Sequence, residues 1–139
     1  MGEMLTDLEI NHAQKLLKSQ FPEINGLHLT LLQSKINENK EPVNNKLQIV
    51  HCRERNHWIT VTTIGCAEGI VKAFDSLYCT LDDPSTTIVL NMFQDKTNQP
   101  PKIKVIRPQK QTGAKDCGVF AIAFATSLAF DYKAPIKYI

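Results

Sequence analysis

The sequence feature that most constrains the fold is the apolar run CGVFAIAFATSLAF, which extends from Cys117 to Phe130. A helix at a protein surface shows one apolar stripe, whereas this run is apolar on nearly every side, as is typical of a buried helix. The run is also shorter than the roughly 20 residues that a membrane span needs. It therefore predicts a central helix that the rest of the chain covers.

The size and composition of the chain predict a single domain that spans residues 1–139. Domains cluster around roughly 100–150 residues. Apolar residues make up 42% and charged residues 22%, and there is no internal repeat or low-complexity tract. The net charge of +2 argues against a protein that grips nucleic acid or an anionic membrane by bulk charge.

The amino terminus and the cysteines favour an intracellular protein, in the cytoplasm or the nucleus. The first ten residues, MGEMLTDLEI, are acidic and lack the apolar run of a secretory signal. The four cysteines form no CxxC pair, so we expect neither a disulfide scaffold nor a zinc site. They are Cys52, Cys66, Cys79 and Cys117.

The first predicted element is a helix over about residues 7–19. Thr6 and Glu9 have the spacing of a capping box, and apolar residues then recur near a helical period. We expect a short helix over residues 27–33, followed by a polar surface loop over residues 34–45.

The middle of the chain predicts a β-hairpin. Residues 46–51 alternate, residues 57–64 are rich in β-branched side chains, and residues 70–75 follow a glycine-containing turn. The second and third of these strands would pair across that turn. The triplet Arg53-Glu54-Arg55 predicts a solvated turn between the first two strands.

One more helix and one more strand complete the prediction. Asp83 and Pro84 are typical of a helix start, with Asp83 as the N-cap. Residues 102–107 alternate and predict a strand. The fold class is therefore α+β, a small and mainly antiparallel sheet with helices packed on it.

Cys117 lies at the start of the apolar helix. Free N–H groups at a helix start favour the thiolate, which is the nucleophilic form of cysteine. A lone buried cysteine is more often a small hydrophobic residue. His57 and Asp75 change this interpretation, because they stand at the open end of the predicted hairpin and so become neighbours. Together the three side chains supply a nucleophile, a base and a group that orients the base.

The residues around Cys117 carry a family resemblance. The run QTGAKDCGVF, from Gln111 to Phe120, resembles the nucleophile segment of the Ulp1/SENP-type cysteine peptidases, the adenain-like clan of deconjugases for SUMO and other ubiquitin-like proteins. As in that family, a glutamine stands six residues before the cysteine. Gln109 is a rival glutamine, but its spacing differs by two residues.

Three further segments extend the resemblance over almost the whole chain. The pair His57-Trp58 is similar to the family's His-Trp, and Asp75-Ser76 follows at a similar separation of 18 residues. The opening Leu5-Thr6-Asp7 is similar to the family's Trp-Leu-x-Asp, with Met4 in place of the tryptophan. The chain is shorter than the family's catalytic domain, so we expect a short or truncated variant.

The resemblance implies a papain-like fold of the Ulp1/adenain type and a role for each site residue. Cys117 would be the nucleophile, His57 the general base and acid, Asp75 its orienting carboxylate, and Gln111 the side-chain donor to the oxyanion. Three further residues would bind substrate, with the aromatic one lining a narrow channel for a Gly-Gly tail; they are Met4, Asp7 and Trp58.

The expected activity is hydrolysis of a peptide or isopeptide bond after the C-terminal glycine of a ubiquitin-like protein, most of all a SUMO-like one. The partner is then that protein or its conjugates, with no metal, cofactor, nucleic acid or membrane, and we expect a monomer. Two alternatives remain open. The same site could transfer an acyl group such as acetyl, or the fold could serve as a catalytically weak module that binds ubiquitin-like proteins.

Overall fold

The computed structural model describes residues 5–33, 41–94, 99–108 and 116–133. Helices and strands are interleaved along the chain. In order they are α1 (Asp7–Gln20), β1 (Asn25–Gly26), β2 (Lys46–Cys52), β3 (His57–Thr62), β4 (Ile70–Phe74), α2 (Asp83–Met92), β5 (Lys102–Ile106) and α3 (Cys117–Lys133). The architecture is α+β, as predicted.

The five strands form one sheet in the order β1-β2-β3-β4-β5. The central pairs β2–β3 and β3–β4 are antiparallel, which confirms the predicted hairpin. The outer pairs β1–β2 and β4–β5 are parallel and depart from the expected antiparallel pattern. The chain leaves β4, forms α2 and returns to the same edge, and such a crossover brings the next strand in parallel.

Helices cover both faces of the sheet. α1 and α3 pack on one face, where the buried cluster includes Ile10, Ile49 and Ala121. α2 packs on the other face, where the cluster includes Val61 and Val89. Every residue of β3 is buried, which explains why this strand is rich in apolar and β-branched side chains rather than alternating with charged ones.

α1 begins with the predicted capping box. The Thr6 hydroxyl accepts a hydrogen bond from the Leu8 backbone N–H at 3.3 Å, and the Thr6 backbone N–H donates to Glu9 Oε1 at 2.6 Å. Both contacts use groups that would otherwise lack partners at a helix start. The helix ends at Gln20, one residue beyond the predicted end.

The predicted N-cap of α2 was wrong. Asp82, not Asp83, caps the helix, and its carboxylate accepts a hydrogen bond from the Ser85 backbone N–H at 2.8 Å. Asp83 is the first helical residue and Pro84 lies in the first turn. A proline fits either of the first two helical positions, because neither N–H has a partner within the helix, so the Asp-Pro step alone does not decide the cap.

α3 lies across the sheet and buries its small side chains. Ala121, Ala125 and Ala129 recur every four residues and are at most 1% exposed. Residues on the opposite side remain half exposed, with Val119 at 54% and Phe130 at 50%. The small face allows the helix backbone to approach the sheet closely, and the first residue of the helix, Cys117, lies beside the start of β3.

The segment after β1 differs from the prediction. Only a single 3₁₀ turn, from Thr30 to Gln33, replaces the expected helix over residues 27–33. The predicted loop over residues 34–45 lies partly outside the described residues. Within the described parts of the chain, no helix has the length and apolar character to cross a membrane.

Candidate active site

His57 and Asp75 meet at the open end of the β3–β4 hairpin. His57 is the first residue of β3, and Asp75 directly follows β4. His57 Nε2 lies 2.6 Å from Asp75 Oδ1, with both side chains at least 98% buried. Asp75 Oδ1 also accepts the backbone N–H groups of Leu77 at 2.8 Å and Tyr78 at 2.9 Å. An ionised carboxylate only accepts hydrogen bonds, so Nε2 carries a proton and donates it.

Cys117 lies on the other side of the imidazole. The His57 ring and the backbone N–H groups of Trp58 and Gly118 lie near enough to the Cys117 sulfur to lower the pKa of its thiol. Because Asp75 occupies Nε2, Nδ1 is the ring nitrogen left for the thiol. The structure therefore brings together all three residues that the sequence proposed, with His57 between Asp75 and Cys117.

The surroundings of His57 and Cys117 shift the pKa values of these two side chains in opposite directions. Burial by itself lowers the pKa of His57, but the hydrogen bonds with Asp75 and Cys117 outweigh it and raise the pKa to about 9. Burial likewise raises the pKa of Cys117, yet the hydrogen bonds from His57 and the Trp58 N–H lower it below the ordinary value. A thiolate beside an imidazolium is the reactive state of a cysteine nucleophile.

The pKa values of two other cysteines, Cys52 and Cys66, shift in the opposite direction. Burial raises the pKa of the Cys52 thiol to about 12, and burial also raises the pKa of Cys66. All four cysteines are free thiols. The environment thus distinguishes Cys117 chemically from these two.

Trp58, the residue after His57, borders a groove. Its indole N–H donates to the Leu5 carbonyl oxygen at 3.2 Å, and its ring packs 4.5 Å from His51. The groove has a volume of about 630 Å³ and is lined by these three residues, by Asp7 and by residues of α2 and the 3₁₀ turn. Trp58 itself is only 5% exposed, so it forms a wall of the groove.

Gly118 allows the starts of α1 and α3 to meet. A Cβ atom at this position would lie 2.9 Å from the Leu5 Cβ, which is too close for van der Waals contact. The glycine therefore lets Leu5, a residue that lines the groove, pack beside the first turn of α3.

Three residues named from the sequence lie outside the described residues: Met4, Gln109 and Gln111. The expected roles of Met4 in binding substrate and of Gln111 in donating to the oxyanion remain predictions, as does the choice of Gln111 over Gln109. Asp7 is exposed and lies on the groove. Among the residues that the structure describes, no group of three His, Cys, Asp or Glu side chains could hold a metal ion.

Two residues that support His57 were not predicted from the sequence, Tyr78 and Arg55. The ring of Tyr78 packs against the imidazole, with centroids 5.2 Å apart and an interplanar angle of 83°. Arg55 lies over the Tyr78 ring at 4.2 Å. The predicted turn at Arg53-Glu54-Arg55 is present and its first two residues are exposed, but the Arg55 side chain is partly buried against the ring. Its position two residues before His57 was the available signal.

Comparisons with known proteins find similarity in structure only. No family model matches the sequence, and no curated protein sequence matches it either. The solved SUMO protease Ulp1, with its catalytic cysteine oxidised to a sulfonic acid, superposes with a TM-score of 0.68 at 13% identity and covers 97% of this chain and 71% of its own.

Two further solved structures of SUMO proteases are similar to this chain in fold. The C-terminal Ulp1 protease domain in complex with Smt3, the yeast ortholog of SUMO, has a TM-score of 0.66 at 12% identity, covering 97% of this chain and 69% of its own. A de-sumoylating protease has a TM-score of 0.56 at 17% identity, with 94% and 62% covered. At such low identity the likeness concerns the fold, and this chain has the fold of the Ulp1 SUMO proteases.

Proposed function

We propose that this chain is a cysteine peptidase that cleaves peptide or isopeptide bonds after the C-terminal glycine of a ubiquitin-like modifier. The observation that carries the proposal is the arrangement of Cys117, His57 and Asp75 in a buried hydrogen-bonded row. The Ulp1 fold supports it, because the row lies on the same kind of scaffold as that of the solved SUMO proteases.

The proposed reaction begins with attack of the Cys117 thiolate on the carbonyl carbon after the glycine. The carbonyl oxygen takes the negative charge, and the Gln111 side chain and the Cys117 backbone N–H donate to it. The tetrahedral intermediate collapses, the C–N bond breaks, and the leaving amine receives the proton from the His57 imidazolium. The product is a thioester between Cys117 and the modifier.

Hydrolysis then regenerates the enzyme. The neutral imidazole of His57 takes a proton from water, and the resulting hydroxide attacks the thioester carbonyl. The C–S bond breaks, so the thiolate returns and the modifier leaves with a free carboxylate. Asp75 holds the ring through Nε2 in both steps. No metal or cofactor enters this scheme.

The groove beside Trp58 supports a narrow, extended substrate tail. Glycine has no side chain, so a Gly-Gly tail passes between walls that exclude other residues. Trp58 and Leu5 border the groove, Asp7 lies at its rim, and Met4 would close it opposite the tryptophan. A SUMO-like modifier is the proposed partner, since one matched protease is complexed with Smt3.

We further propose that residues 1–139 form one catalytic domain that acts as a monomer in the cytoplasm or nucleus. The four free cysteines support a reducing compartment. The balanced charge supports a protein partner rather than a nucleic acid or an anionic membrane.

Labelling with electrophilic modifiers tests the proposal. SUMO and ubiquitin that carry a C-terminal vinyl sulfone are incubated with the protein, and the adduct is mapped by mass spectrometry. We expect SUMO to label Cys117 covalently and the C117A variant to remain unlabelled. C79A removes an exposed cysteine and is the matched control that should still react.

Other outcomes identify the alternatives. Tight SUMO binding without an adduct would support a binding module and contradict the peptidase. Acetyl transfer from acetyl-CoA to a protein, without labelling by either probe, would support an acyltransferase.

A further inference from the structure

Tyr78 contacts both His57 and Asp75. Its ring packs against the His57 imidazole at 5.2 Å, and its backbone N–H donates to Asp75 Oδ1 at 2.9 Å. The imidazole thus has Asp75 at one nitrogen, the Cys117 thiol at the other and the Tyr78 ring packed nearly perpendicular to it. Rotation of the imidazole about its bond to Cβ would require the tyrosine ring to move.

Arg55 holds the Tyr78 ring in place. Its guanidinium lies 4.2 Å from the ring centroid, and its Nη1 donates to the Thr80 carbonyl oxygen at 2.6 Å. Its Nε is 3.7 Å from Asp82 Oδ2, the carboxylate that caps α2. Arg55 stands in the turn between β2 and β3, two residues before His57. It therefore ties the strand of the histidine to the loop of the carboxylate.

A second arginine fixes the same loop from the other side. Arg107, one residue after β5, donates from Nη1 to the Leu77 carbonyl oxygen at 3.1 Å. Leu77 and Tyr78 are the two residues whose backbone N–H groups bind Asp75 Oδ1. The loop that orients the carboxylate is therefore held at both ends, and the Tyr78 ring extends from it onto the histidine.

We propose that Tyr78, held by Arg55, is a positioning residue that keeps the His57 imidazole aligned between Asp75 and Cys117. It acts through the histidine and does not itself contact substrate. The inference rests on the proposed function, since it assigns Tyr78 to the same cysteine–histidine pair. Without the ring, the imidazole gains rotational freedom and loses its alignment with the sulfur.

The pH dependence of thiol reactivity reports this alignment, because the imidazolium stabilises the thiolate. The titratable groups next to His57 are Asp75 after β4 and Cys117 at the start of α3. Cys52 is its register partner on β2. Arg55 and Asp82 lie behind the Tyr78 ring. A weaker interaction between His57 and the sulfur shifts the midpoint of thiolate formation to higher pH.

The test measures the alkylation rate of Cys117 by iodoacetamide between pH 4 and pH 10, in the full chain, with the modified peptide resolved by mass spectrometry. Y78L removes the aromatic ring and Y78F keeps it. We expect the Y78L midpoint to rise by about one pH unit, which makes alkylation about tenfold slower below the midpoint. Y78F should restore the wild-type midpoint.

Arg55 provides the second variant. We expect R55Q to move the midpoint in the same direction as Y78L but by less, because the ring remains and only its support is lost. K15Q removes one positive charge from an exposed position on α1 and is the matched control that should leave the midpoint unchanged. If Y78L fails to fold, the alkylation midpoint of R55Q relative to that of K15Q tests the proposal.

Unchanged midpoints in folded Y78L and R55Q would overturn the proposal. A Y78F midpoint as high as that of Y78L would also overturn it, because Y78F keeps the aromatic ring to which the proposal assigns the effect. Failure of the proposed function has a different signature. In that case SUMO with a C-terminal vinyl sulfone would not label Cys117 of the wild-type protein, whether or not the midpoints of Y78L and R55Q shift.

Discussion

Replacing Asp75 by asparagine would separate the charge of this side chain from its shape. Asp75 Oδ1 accepts all three hydrogen bonds from His57, Leu77 and Tyr78. Oδ2 has no hydrogen-bond partner among the described residues. The asparagine oxygen can therefore keep the three bonds while its NH₂ group takes the place of Oδ2. The variant should retain the orientation of the ring and lose only the negative charge.

The magnitude follows from the pKa of His57. That pKa lies at about 9 against an ordinary 6.5, and a difference of about 2.5 pH units corresponds to about 3 kcal/mol. This net figure is what the interactions with Asp75 and Cys117 give together after they offset the opposing effect of burial. Burial alone lowers the pKa of His57, so in D75N the imidazolium should lose protons near or below neutral pH.

The pH profile of Cys117 alkylation checks this expectation. With a less stable imidazolium, the thiolate forms at higher pH, and we expect the D75N midpoint to rise by one to two pH units, or about ten- to a hundredfold in rate at acidic pH. D83N removes an exposed carboxylate from the first turn of α2 and should leave the profile unchanged. A folded D75N protein with the wild-type midpoint would refute the electrostatic role of Asp75.

Three further predictions concern separate features. Q111A should lose about a hundred- to a thousandfold in turnover with little change in affinity, as for one oxyanion donor, while Q109A should be nearly silent; the opposite pattern would shift the motif alignment by two residues. G118A should lower the free energy of unfolding by about 1–3 kcal/mol in thermal denaturation, because the new Cβ meets the Leu5 Cβ at 2.9 Å, and L5G, which removes that Cβ atom, should relieve part of this loss if the clash is the cause. Burial opposes ionisation of Glu41, but hydrogen bonds from His28 and the Gly26 N–H lower its pKa from 4.5 to about 2. The contribution of ionised Glu41 to the stability of the folded chain is therefore complete above pH 4.5 and is lost as the pH falls towards 2, by at most about 3 kcal/mol. In acid unfolding, E41Q should therefore lose less stability over that range than the wild type.

Local signals were sufficient for much of the fold. The capping box of Thr6 and Glu9 involves groups three residues apart, so their spacing alone indicated where α1 begins. The hairpin was predictable because the turn joins two β-branched segments directly. The same hairpin placed His57 beside Asp75, and the apolar run placed Cys117 at a helix start.

Contacts between distant segments were not predictable in this way. The parallel pairing of β4 with β5 depends on which edge the chain reaches after α2. The N-cap of α2 is a local contact, but two adjacent aspartates compete for it, and only the structure shows that Asp82 accepts from the Ser85 N–H. The stack of Arg55 on Tyr78 joins residues from different loops, and neither loop carries a motif that announces it.

The sequence by itself determined which side chains can do chemistry and roughly where each lies along a helix or strand, because these properties depend on neighbours a few residues away. Only the tertiary structure decided in which direction the pKa values of His57 and Cys117 shift. Burial and hydrogen bonds act together on His57 and Cys117, and the resulting pKa depends on which effect prevails in the folded site. Once β3, β4 and α3 meet, the pKa of the Cys117 thiol falls below its ordinary value and the pKa of the neighbouring His57 rises above its own.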